Sequence, residues 1–345
     1  MILLLPIIAL VAGFILIYLS ADVFTDNSAR IASIYKISPL IIGIVILGFG
    51  TSAPEMLVSA RAAFAEHPGL SVGNAFGSNI FNIALVLGIT AIISPIKVEL
   101  KNIQFEWLIL IAFTGIAGFL LLFDFNSKTF DGSLSTIDGF ILLGLMALFL
   151  WYTFKESKKT HHEFDIPSSN SGNEQKWKLW RDLVFWLIVL VGSAQLIVIS
   201  ATYLANYYHV SDLIFGLTVV ALGTSIPELA VSVRGAVKNQ HEMVVGNIIG
   251  SNIFNTVAVL AIPALISTSD IALVDTPGVS GSGLWPTYSV FFLDFGVMLL
   301  LTVGIGLFLF VPGIGGKKTH QISQVEGIFF IVVLIAYLSQ RLLLL

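Results

Sequence analysis

Apolar positions run along this chain in stretches of about 20 residues, each long enough to cross a ~30 Å hydrocarbon layer as a helix. The runs recur from end to end, separated by short polar or Gly/Pro/Asn-containing stretches, and predict ten helices at about 2–30, 38–66, 69–94, 104–124, 136–154, 179–207, 211–238, 241–267, 288–312 and 325–345. Backbone groups in lipid must be satisfied within their own segment, which favours helices. The Leu/Ile/Val/Phe runs also lack the two-residue alternation of a transmembrane barrel. No basic region precedes the first run and no clear small-residue cleavage site follows it, so it reads as a retained helix rather than a signal peptide.

The one substantial polar stretch, Lys155 to Lys178, contains KKTHHEFD and PSSNSGNEQ and reads as a flexible linker. It divides the chain into two five-helix halves, 1–154 and 179–345, and His161 and His162 within it read as solvated rather than as a metal site. With the N-terminus outside, fourteen of the Lys and Arg residues fall on the inner side and only Arg61, Lys128 and Arg341 fall outside. That bias places both termini outside and the linker in the cytoplasm.

The halves are copies. Residues 38–93 align without a gap on 211–266, and 27 of 56 positions are identical. SPLIIGIVILGFGTSAPEMLVSARA matches SDLIFGLTVVALGTSIPELAVSVRG, and VGNAFGSNIFN matches VGNIIGSNIFN. An odd number of crossings per half inverts the second copy in the membrane, and inverted repeats place ion sites near the midplane where the halves meet. The fold class is therefore an all-α polytopic membrane protein of ten transmembrane helices in two inverted-topology five-helix repeats.

Composition sharpens this. Hydrophobic residues make up 56% of the 345 and charged residues 11%, whereas soluble domains carry about 25% charged residues. There is no cysteine, which excludes disulfides and thiolate chemistry, and a net charge of -4 gives no reason to expect a nucleic-acid partner. The lipid bilayer is the expected surrounding, and nothing calls for a cofactor or an obligate protein partner.

Each repeat carries Gly-Thr-Ser-x-Pro-Glu inside an apolar run, as Gly50 to Glu55 and Gly223 to Glu228. Proline frees a backbone carbonyl and breaks the helix. Thr51, Ser52 and Glu55 then share a face, as do Thr224, Ser225 and Glu228. A charge at the bilayer centre costs ~2.5–3.5 kcal/mol on insertion scales, and no basic residue lies in the apolar parts of these helices, so a bound cation is the natural counter-charge. The partner helices carry Asn74, Ser78 and Asn82, and Asn247, Ser251 and Asn255, at four-residue spacing. Asn79 and Asn252 lie off that face and read as structural, and the pairs Gly73/Gly77 and Gly246/Gly250 read as close-packing positions. Two carboxylates with hydroxyls, amide oxygens and carbonyls make an all-oxygen set without His, Cys or Lys. That set suits Ca2+, which takes 6–8 oxygens in a flexible cage, and Na+ could compete for the same ligands. Asp22, Asp26 and Arg30 follow i, i+4, i+8 spacing and read as an ion-pair ladder on the first helix.

At these residues the chain resembles the Ca2+:cation antiporter superfamily and, within it, the prokaryotic Na+/Ca2+ exchangers, whose alpha repeats correspond to 38–93 and 211–266. The resemblance implies ion ligation by Glu55 and Glu228, with Thr51, Ser52, Ser78 and Asn82 from one repeat and Thr224, Ser225, Ser251 and Asn255 from the other. It also implies backbone contributions from Gly48 and Ala221. The expected activity is exchange of Ca2+ for Na+ by alternating access, with both ions as transported substrates, and the absence of a regulatory domain favours a prokaryotic cell (inner) membrane. H+-coupled exchange is the alternative; an intramembrane hydrolase and a cation channel are weaker readings. Some relatives carry aspartate where this chain has Asn255, which argues against K+ co-transport.

Overall fold

The computed structural model describes residues 3–66, 68–97, 99–123, 133–159, 173–207, 221–267, 271–272, 288–310 and 321–343. His161 and His162 lie outside these residues, as does the first part of the predicted 211–238 helix.

The helices are α1 (Leu4–Tyr35), α2 (Pro39–Phe64), α3 (Leu70–Ile93), α4 (Leu100–Leu122), α5 (Thr136–Lys159), α6 (Asn173–Tyr207), α7 (Ile226–Val237, preceded by a turn Ala221–Thr224), α8 (His241–Ile266), α9 (Tyr288–Phe310) and α10 (Gln324–Leu343). Nine of the described helices are long and apolar enough to span a membrane. Helix enters both ends of the stretch read as a linker, because α5 continues to Lys159 and α6 begins at Asn173.

Helices that are apolar all round are buried, and those with one buried stripe face lipid. In the most apolar window of α8, 89% of residues are buried, against 22% in α1 and 28% in α5 and α10. The centre of the molecule therefore holds α2, α3, α7 and α8, while Leu5, Phe14, Trp151, Ile188 and Leu300 point outward. α1 and α6 lie against each other along their length around Ile17, Phe24, Leu190 and Ile197.

Packing respects the repeat. α1 pairs with α6 and α4 with α9, while α3 meets α10 and α8 meets α5. Two short antiparallel ribbons cross between halves: β1 (Ile96–Lys97) pairs with β4 (Gln321–Ile322), and β2 (Ser133–Leu134) pairs with β3 (Ile271–Ala272). Exchanging the halves converts one ribbon into the other. The likeness also reaches α5 and α10, which the sequence alignment did not: Ser135 and Asp138 cap α5 as Ser323 and Glu326 cap α10, 188 positions on. In each cap the acidic side chain accepts the serine N–H, so an orphan donor at the helix start is satisfied.

Glycines bring α2 and α8 into backbone contact. A Cβ on Gly250 would stand 2.7 Å from the Ile44 carbonyl oxygen, and one on Gly48 would stand 3.0 Å from the Ser251 nitrogen. Gly43 and Gly246 likewise face the Met243 and Leu40 carbonyls. The packing role expected for Gly246/Gly250 is present. For Gly73/Gly77 nothing among the described residues lies within 4 Å of the added carbon. Gly250→Val should force α2 and α8 apart and lower the thermal midpoint in detergent, an overpacking penalty of about 1–3 kcal/mol. Gly144→Ala, inside a helix and with nothing within 4 Å of its added carbon, should not lower the midpoint; equal losses would contradict the account.

Candidate functional site

The helix of the first repeat stops at Thr51 and restarts at Ala53; that of the second stops at Thr224 and restarts at Ile226. Pro54 and Pro227 occupy the second position of the new helix, where the missing N–H has no intrahelical partner to lose. Each break places its glutamate in the first turn of the restarted helix, next to the partly positive helix start. Elsewhere the helices widen into π turns at Gly43–Gly48, Asn82–Leu87 and Asn255–Val259. Such turns re-aim side chains and recur at functional sites; here two of them begin at predicted site residues.

Glu55 and Glu228 are both fully buried, and each lies close enough to feel the other's charge. The hydroxyls interlock between halves. Thr224 and Ser78 lie by the Glu55 carboxylate, and Thr51 lies by that of Glu228. Thr51 Oγ1 donates to the Leu47 carbonyl at 3.0 Å and sits 3.2 Å from Asn247 Oδ1 and 3.3 Å from Ser251 Oγ. Ser251 Oγ also reaches the Gly48 carbonyl at 3.3 Å, which accepts the Ser52 N–H at 3.1 Å as well. Ala221 opens the turn that carries Thr224.

The remaining predicted ligands are buried without partners. Ser52 Oγ, both Glu55 oxygens, Ser78 Oγ, both polar atoms of Asn82, Ser225 Oγ, both Glu228 oxygens and both polar atoms of Asn255 make no hydrogen bond. Buried polar groups are normally paired, and leaving one unpaired costs about 1–3 kcal/mol, more for a charge. Among the described residues no lysine or arginine acts on either glutamate. The arrangement is a chamber of oxygen atoms that includes two carboxyl groups and, among the described residues, no cationic side chain, suited to a desolvated hard cation.

Behind the chamber lies a supporting layer in which Asn74 and Asn247, expected on the site face, bond Ser59 and Ser232, two serines not singled out from sequence. Asn74 Nδ2 donates to the Glu55 carbonyl and to Ser59 Oγ, each at 3.2 Å, and Asn247 Nδ2 donates to Ser232 Oγ at 3.0 Å. Ser59 and Ser232 stand one turn beyond the glutamates and are identical in the two repeats, so the signal was available. Asn79 is structural, bonding Thr256 Oγ1 at 2.9 Å and tying α3 to α8, and Asn252 bonds its own helix at Ile248. The ladder expected within α1 is corrected: Asp22 and Asp26 pair across to Arg234 and Lys238 at the end of α7, not along their own helix to Arg30. Three- and four-residue spacing permits a ladder, but closely packed partners on α7 take the charges first.

Fold and chamber together define a polytopic membrane transporter, not an enzyme. The chain belongs to the family described as sodium/calcium exchanger protein, which it matches over residues 5–155 and 180–343. It is 36% identical over 333 residues to the putative antiporter CaxA of Alkalimonas amylolytica, covering 96% of each chain. It is 37% identical over 271 residues to inner membrane protein YrbG of Escherichia coli, covering 76% of this chain and 80% of that one. With sodium/calcium exchanger MaX1 of Methanosarcina acetivorans it shares 27% identity over 305 residues, 78% of this chain and 86% of the relative. Among solved structures, the sodium-calcium exchanger NCX_Mj superposes with a TM-score of 0.78 at 33% identity, covering 98% of this chain and 99% of that one.

Proposed function

We propose that the chain exchanges Ca2+ for Na+ across a prokaryotic cell membrane, by alternating access to the Glu55/Glu228 chamber. The observation that carries this reading is the set of unpaired buried oxygens shared by both repeats. One Ca2+ neutralises the two carboxylates and completes its 6–8 oxygen ligands from a subset of the Thr51, Ser52, Ser78, Asn82, Thr224, Ser225, Ser251 and Asn255 oxygens, leaving the others for Na+. A cation competes with the Ser251 hydroxyl for the Gly48 carbonyl, and the Ala221 carbonyl is its counterpart. Na+ ions occupying overlapping oxygens expel Ca2+, and that competition couples the two fluxes. Each half, 1–154 and 179–345, inserts opposite to the other, with the linker cytoplasmic and both termini outside, as the distribution of basic residues favours. Swapping the conformations of the halves then exposes the chamber alternately to each side.

Purified protein in liposomes tests the reading through uptake of radiolabelled Ca2+. An outward Na+ gradient should drive uptake, and collapsing that gradient should stop it. Uptake that ignores Na+ and follows a pH gradient would replace Na+ with H+ as the coupling ion; flux without any counter-gradient would indicate a channel.

A further inference from the structure

Where a duplicated molecule departs from its own symmetry, it distinguishes its two states. α1 packs closely on α7, whereas α6 only lightly touches the corresponding part of α2. One seam is shut and its symmetry mate is open. The shut seam carries an ionic clasp. Asp22 Oδ1 accepts Arg234 Nε at 2.9 Å and also pairs with Arg234 Nη2 and with Lys238 Nζ at 2.5 Å, and Lys238 Nζ reaches Asp26 Oδ1 at 2.7 Å. Arg234 further donates to the Tyr18 hydroxyl at 3.1 Å and lies 4.7 Å from the centre of its ring.

The open seam has no such device. Asp22 corresponds to Gln195, Asp26 to Ile199, Tyr18 to Val191 and Lys238 to Ala65. Only Arg234 has a like counterpart, Arg61, which is exposed and makes no ion pair among the described residues. We infer that Asp22, Asp26, Arg234 and Lys238 form the gate of one face of the exchanger: the clasp holds the α1–α7 seam shut and breaks whenever the chamber turns to that face. This rests on the alternating-access reading above. The α1–α7 seam must then take the loose geometry now seen between α6 and α2, and loose packing cannot keep a 2.5–2.9 Å charge network. Because the opposite seam gains no matching contact, the clasp biases the resting equilibrium towards the state with this face closed. The end of α1 beyond the clasp meets the start of α6, where Trp180 donates to the Tyr35 hydroxyl at 3.0 Å, so the gated face is the linker face.

The chain has no cysteine, so single cysteines report seam opening cleanly. Thr25 is fully buried beneath the clasp, near Gly235, and its repeat counterpart is Val198 on α6. Thr25→Cys and Val198→Cys chains in liposomes are treated with a membrane-impermeant maleimide from each face, with and without Asp22→Asn plus Asp26→Asn. Three partly exposed pairs contribute modestly each, so the expected change is about tenfold in state populations, or about 1.4 kcal/mol. Labelling of Thr25→Cys from the linker face should rise while that of Val198→Cys from the other face falls, and the exchange Asp22→Arg with Arg234→Asp should restore protection. No change at either site overturns the gate. A rise at both sites also overturns it, because that marks a loosened fold in which the clasp only braces helices. Labelling does not depend on flux, so an unmodified chain without Na+-driven uptake would sink the exchange reading while leaving this result to stand or fall separately.

Discussion

Glu55→Gln and Glu228→Gln are each expected to abolish Na+-driven Ca2+ uptake while raising the ion-free stability of the protein. Glutamine keeps the shape of the side chain and removes one charge. With both carboxyl groups buried and no cationic side chain among the described residues acting on them, holding either as a charge in ion-free protein is penalised by burial. Replacing either by a neutral amide removes that burial penalty, so the thermal midpoint without Ca2+ should rise. The same change removes half of the charge that attracts Ca2+. A buried charge left uncompensated costs roughly 3 kcal/mol or more, so apparent Ca2+ affinity should fall by more than about a hundredfold. Unmodified protein at a hundred times its dissociation constant gains about 2.7 kcal/mol from Ca2+, and in either variant that gain should vanish. Thermal melts with and without Ca2+, alongside flux, check both signs. A variant that still transports at the original rate, or that melts earlier without ions, would contradict the chamber as described.

The second large effect concerns the outer layer. Asp294 on α9 pairs with Arg341 on α10 at 3.3 Å and accepts the Tyr337 hydroxyl at 3.0 Å; only 10% of the Asp294 side chain and 15% of the Arg341 side chain are exposed. Removing one member of a buried pair strands the other, at a cost of about 3–5 kcal/mol. Arg341→Met should therefore produce a poorly folding protein with a sharply lowered midpoint. Asp294→Asn added to it should recover most of the loss, since a neutral amide can keep the tyrosine as a partner. Size-exclusion profiles after heating measure both. Recovery by the second change separates charge stranding from loss of arginine packing, which it could not repair.

Much of this was legible in the residues because it is periodic or duplicated. Apolar run length gave the helices, and paired Gly-Thr-Ser-x-Pro-Glu elements marked the breaks that carry Glu55 and Glu228. Four-residue spacing placed Ser78 and Asn82 on one face, and both are now seen buried and unpaired. What escaped reading depends on neighbours distant in sequence. Asp22 meets Arg234 across 212 positions, and local spacing could only suggest a partner on the same helix. The π turns at Asn82 and Asn255 arise from backbone geometry for which the side chains leave no pattern. The α5 and α10 caps stayed hidden because the offset changes from 173 to 188 between the middle and the end of each half, which defeats a gapless comparison.

The two small ribbons set a schedule for making the protein. Ile96 and Lys97 leave the ribosome long before their partners Ile322 and Gln321 are synthesised. Ser133 and Leu134 likewise wait for Ile271 and Ala272. An N-terminal fragment released before the second half is translated would keep both strand edges bare, so final assembly belongs to the finished chain.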